Sequence, residues 1–137
     1  MAKMALLLST DGWDKLPVQQ RFADDHGLSV WRTRGRYNTF LEDIPYPLSL
    51  YFFHQSIIRY RARCTNIEPV TAAGYRLADV PPAFRDDPVA YTLFYEIDQI
   101  VETPAVHISR FPKWQKPGEF YDRGQLGLFK VVDVFAE

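Results

Sequence analysis

The sequence predicts one small α+β domain over residues 1–137: a curved, mostly antiparallel sheet or pseudo-barrel carrying one or two short helices. Three observations carry that expectation. The length suits a single domain that buries roughly two-thirds of its unfolded surface. Short apolar runs recur along the chain, separated by Pro, Gly, Asn and Asp. Only one stretch has start and stop signals at helical length. Aromatic residues make up 15% of the chain. Rings dominate burial in small β-rich cores, and any left at the surface serve for stacking.

The elements follow in order. Met4 to Ser9 is a continuous apolar run ended by Thr10-Asp11-Gly12, which suits a buried strand entering a turn. Asp14 to Asp25 reads as a surface helix, with Asp14 as N-cap, Pro17 near the first turn, Leu16 and Phe22 as apolar contacts and Gly27 as its stop. Leu28 to Trp31 is a short strand, and Arg32 to Asn38 a basic loop. Leu48 to His54 and Ile57 to Ile67 form a hairpin across Gln55-Ser56, the clearest element in the chain. The two-residue period puts Ile58, Tyr60, Ala62 and Cys64 on one face and Arg59, Arg61 and Arg63 on the other. Glu68 to Pro88 reads as a long loop with a short helical turn. Val89 to Ile97 is a strand that Gln99 to Glu102 extends or follows, with Pro104 closing the segment. Val106 to Ser109 is short and β-prone, Phe111 to Gln125 loop-like, and Leu126 to Phe135 a final strand.

Composition narrows the chemistry. Net charge is -1, so no global field draws the chain to nucleic acid or membrane, and an anion site has to come from local clustering. The single cysteine, Cys64, excludes an intrachain disulfide and a multi-cysteine zinc site. His26, His54 and His107 lack ligand spacing, so no metal or cofactor is expected. The opening apolar run is too short for a signal peptide or a membrane span, which makes a cytoplasmic location the expectation. Asp24-Asp25, Glu42-Asp43, Asp86-Asp87 and Glu96-Asp98 read as exposed loop charge, and no phosphate-loop, dinucleotide or serine-elbow motif is present. A binding module is expected over an enzyme.

The most pointed segment is Trp31-Arg32-Thr33-Arg34-Gly35-Arg36-Tyr37-Asn38. Arginine forks match phosphates, aromatic faces stack on bases, and asparagine pairs with a base edge. The plainer reading is a solvated loop with Trp31 and Tyr37 tucked inward. Arg59, Arg61 and Arg63 form a second basic row, spaced about 6–7 Å apart on a strand. Its plainer reading is pairing with acids on a neighbouring strand. His54-Gln55, ending a buried strand, either rims a pocket or simply turns the hairpin.

These pieces resemble the PUA-like superfamily, and within it the EVE and YTH group of domains. The matching segments are Met4 to Thr10, Trp31 to Asn38, Leu50-Tyr51-Phe52-Phe53-His54 and Ile57 to Ala62, with Asp87-Pro88-Val89-Ala90-Tyr91 where such domains have a proline-led strand. Two features depart. Ile44-Pro45-Tyr46-Pro47 replaces the usual Gly-Asp before the aromatic strand, and Arg59 or Tyr60 replaces the glycine after the hairpin. The resemblance implies a pseudo-barrel whose aromatic pocket accepts a methylated or otherwise modified base in RNA or DNA. Carried over by position, Trp31 would be a pocket wall, Asn38 a base-edge or backbone contact, Ser9 and Thr10 a polar rim, and His54 floor or rim. Arg32, Arg34, Arg36, Tyr37, Arg59 and Arg61 complete the expected nucleic-acid surface, and a lone reader domain often needs an effector protein to give its binding a consequence. The alternative is a small-molecule or protein-interaction domain using Phe111 to Trp114 and Phe120-Tyr121.

Overall fold

The computed structural model describes residues 2–35, 37, 39–70, 76–85, 91–116, 118–121 and 127–136. Among the described residues six strands form one mixed sheet: β1 (Met4–Ser9), β2 (Ser29–Thr33), β3 (Leu48–His54), β4 (Ile57–Pro69), β5 (Leu93–His107) and β6 (Leu128–Val132). Their order across the sheet is β2-β5-β4-β3-β1-β6. β1 and β3 run parallel; the other pairings among the described strands are antiparallel. The sheet does not close, so β2 and β6 are its edges. Helix α1 (Lys15–His26) joins β1 to β2. Among the described residues no helix is long and apolar enough to cross a membrane.

Burial explains why the strands read as they do. β1 is apolar throughout because both its faces are covered. Leu6 and Leu8 enter the main core with Leu50, Phe52, Ala62, Cys64, Tyr95 and Ile97. Ala5 and Leu7 enter a second core with Tyr51, Phe53, Phe111 and Val131 on the reverse face. A third, smaller core of Val30, Val80 and Phe94 covers the reverse face of β2 and β5.

Helix α1 packs on β2 and β5 through Leu16 and Ala23. Asp14 stands at its N-cap but makes no side-chain cap bond, while Gly27 ends it at φ 82 with its N–H on the Ala23 carbonyl. That is the left-handed conformation glycine adopts without cost. Gln19 is buried, and it is satisfied: its amide donates to the Val30 carbonyl at 3.4 Å and its oxygen accepts from the Ser29 hydroxyl.

Several boundaries differ from expectation. β2 runs on to Thr33, so Arg32 belongs to a strand paired with Phe94. β4 does not keep one face throughout. The register shifts between Ile58 and Tyr60 in its pairing with β5, and between Phe52 and Phe53 in its pairing with β3. Arg59 is the extra residue, so Ile58 joins the second core while Tyr60, Ala62 and Cys64 face the main one. Pro104 does not end its strand. Glu102 pairs with Tyr60 and Val106 with Ile58, so residues 103–105 lie in an irregularity where proline's missing N–H is tolerated. β5 therefore continues to His107 and absorbs the expected Val106 segment. β4 extends to Pro69, and beyond it short 3-10 turns span Leu77–Asp79 and Pro82–Phe84. Residues 71–75, 86–90 and 122–126 lie outside the described set. The Asp87 to Ala90 part of the resemblance and the beginning of the expected final strand fall on them.

Arg76 ties its own 3-10 turn to β4 and β5. Its guanidinium donates to Glu68 and Glu96 at 2.8 Å and to Asp79 at 2.9 Å. The Arg76 side chain is mostly buried, where an unpaired charge would be costly.

Candidate functional site

The two edges of the curled sheet face each other across a cavity of about 560 Å³. Four strands deliver residues to it near their ends: Ser9 from β1, Thr33 from β2, Leu93 and Tyr95 from β5, Leu128 from β6. Arg34 and Gly35 follow β2 directly, and Phe40 comes from the 3-10 turn Thr39–Leu41. A volume in this range, with apolar walls and a few converging polar groups, is what small-ligand sites provide.

The polar groups are fixed by their neighbours. The Thr33 hydroxyl accepts the Gly35 N–H at 3.3 Å and donates to the Tyr95 hydroxyl at 3.2 Å. The phenolic proton of Tyr95 is therefore not spent in that bond. Burial, before any other influence, pushes the Tyr95 phenol up to about 12, so it stays neutral and able to donate. Ser9 accepts the Gly127 N–H at 2.7 Å through its hydroxyl oxygen, which leaves the hydroxyl proton for a ligand. Space at Gly35 is tight. A Cβ there would stand 2.5 Å from Cδ1 of Leu93. The Thr92 hydroxyl holds the same turn through the Gly35 carbonyl.

A second recess of about 230 Å³ adjoins the cavity, with Phe40 and Leu128 as walls common to both. Lys113, Trp114, Lys116, Tyr121 and Lys130 line it. Lys130 Nζ sits 4.5 Å from the Phe40 ring centre and Lys113 Nζ 4.7 Å from that of Tyr121.

Of the expected site residues, Ser9 and Arg34 meet at the cavity. Trp31 is only 7% exposed and packs edge-on against Phe52, 4.7 Å between ring centres, inside the main core. Arg32 donates to the Phe84 carbonyl and lies 4.4 Å over the Tyr91 ring. Tyr37 is exposed; Arg36 and Asn38 lie outside the described residues. Thr10 and His54 form a separate cluster. His54 Nδ1 donates to the Thr10 carbonyl at 3.0 Å, and its ring meets Trp13 edge-on at 5.8 Å. Arg59 is exposed in the bulge. Arg61 lines a groove with Lys3 near the opposite end of β1, and Arg63 pairs with Asp98 at 2.9 Å.

Sequence reasoning passed over Phe40, Tyr95, Thr33 and Leu128. Tyr95 carried a signal, because a tyrosine on the inward face of a strand needs a partner for its hydroxyl. Among the described residues no three His, Cys, Asp or Glu side chains gather as a metal site. No family model, curated protein or solved structure matches the chain.

Proposed function

We propose that the chain is a nucleic-acid-binding module of PUA-like architecture that accepts a modified or flipped base in the cavity between β2 and β6. The observation that carries this is the composition of that cavity. Hydroxyls of Ser9 and Tyr95 face a space walled by Phe40, Leu8, Leu41, Leu93 and Leu128, with Arg34 exposed at its mouth. A base offers flat apolar faces to such walls and hydrogen-bonding edges to such hydroxyls. Extruding it from a duplex costs a few kcal/mol, and aromatic stacking returns about 1–3 kcal/mol. A methyl group adds contact with the leucine walls. Arg34 is placed for a flanking phosphate. In this reading Phe40 takes the wall position that the resemblance gives to Trp31, while Trp31 packs in the main core against Phe52.

The test is binding of fluorescent DNA and RNA oligonucleotides, plain or methylated, over a salt series. Affinity is expected to fall steeply with salt, to favour one modification, and to drop about tenfold in Phe40→Ala with its far-ultraviolet dichroism unchanged. Equal binding of every probe by wild type and variant sinks the reading. The net charge of -1 favours a second reading, an uncharged small-molecule site in the same cavity. That version expects metabolite binding without salt dependence.

A further inference from the structure

We infer that the lysine and aromatic shelf beside the cavity is a second subsite, which takes the phosphate and base next to the one held in the cavity. The inference rests on the base-binding reading above and narrows it to a single-stranded dinucleotide step. Three features of the shelf support it. It is continuous with the cavity through Phe40 and Leu128, so a ligand leaving the cavity crosses it. Its charge has one sign. Lys113, Lys116 and Lys130 line it, no described carboxylate does, and none of the three is in an ion pair with a described acid. Two of these ammonium groups are held over rings instead, which keeps them in place without neutralising them.

The shelf also carries aromatic faces. Trp114 and Tyr121 line it, with Tyr121 braced by Phe129 at 4.8 Å. A cationic groove interleaved with aromatic rings is the arrangement that tracks a single-stranded backbone while its bases stack. Duplex flanks keep their bases stacked on one another and leave such rings unused. The shelf is built on β6, on residues 113–116 and on Tyr121, where the Lys113–Val131 and Pro112–Phe120 bridges hold the backbone to the sheet and to itself. It is thus fixed relative to the cavity.

The experiment compares nucleosides, plain and methylated, with dinucleoside monophosphates of the same bases, at low and high salt, by tryptophan fluorescence and calorimetry. The dinucleoside monophosphate is expected to bind about tenfold more tightly than its nucleoside at low salt, with that advantage shrinking as salt rises. Lys116→Glu, at an exposed position, and Lys113→Ala are each expected to remove most of the advantage. The charge reversal keeps the test valid if the alanine variant folds poorly. Equal affinities for the two probes, or an advantage that both variants retain, overturn the shelf and leave the cavity reading standing. Failure of nucleoside and dinucleotide alike overturns both.

Discussion

Gly35 shows how closely the candidate site depends on single atoms. With a Cβ 2.5 Å from a buried leucine methyl, Gly35→Ala has no room unless Leu93 moves. Overpacking of this kind costs about 1–3 kcal/mol. We expect Gly35→Ala to lower the urea midpoint accordingly, and Leu93→Val in the same background to return part of the loss, because it shortens the clashing side chain. Additive effects of the two changes would show that the contact is absent. At this scale the sequence was partly legible. Of the residues the sequence singled out, Ser9 and Arg34 line the cavity. Trp31 misled because a tryptophan beside arginines looks the same in sequence whether its strand turns it outward or, as here, toward Phe52.

Among the elements, the β3–β4 hairpin was readable because its turn is short and its strands alternate. Gln55 and Ser56 both hold positive φ, 51° and 69°, the backbone of a two-residue turn that matches strand twist. Glutamine adopts that conformation reluctantly, and asparagine is several-fold enriched in it. Gln55→Asn is therefore expected to raise the melting temperature by about 2–4 °C, corresponding to roughly 0.5–1 kcal/mol. An unchanged or lower value would mean that the turn is held by something other than its own backbone preference. The bulge at Arg59 was not readable. A strict two-residue period assigns Ile58 to the face of Tyr60, and one inserted residue reverses that assignment. Pro104 hid the length of β5 in the same way, since proline ordinarily ends a strand unless the ladder is already irregular.

For the whole molecule, buried acids with elevated pKa values make stability a function of alkaline pH. Burial pushes the Cys64 thiol and the Tyr95 phenol up to about 12. Burial also raises Tyr46, and burial together with Asp133 raises Tyr51. In the unfolded chain these groups release protons near their ordinary values of 9 and 10. Above those values the unfolded state binds fewer protons than the folded one, so stability falls as pH rises. The contribution is intact below pH 9 and is withdrawn progressively toward pH 12. A melting temperature measured across that range should decline; a flat profile would mean these groups ionise equally in both states. The fold class was legible at this scale because apolar periodicity, turn residues and aromatic content agree. The strand order and the open seam that makes the cavity were not, since both arise from pairings between residues far apart in sequence.

The pairing of β1 has one further consequence. Residues 4–8 are flanked by β3 on one side and by positions 128–132 on the other. A ribosome making this chain finishes residues 4–9 long before it reaches residues 128–132. One side of β1 therefore waits with its backbone donors and acceptors unmatched until β6 has been made. Contacts of such long separation also slow folding once the chain is free. The β1–β6 side of the cavity is thus the last part of the sheet to be built, and until then its unpaired strand edge is the part most exposed to misassembly.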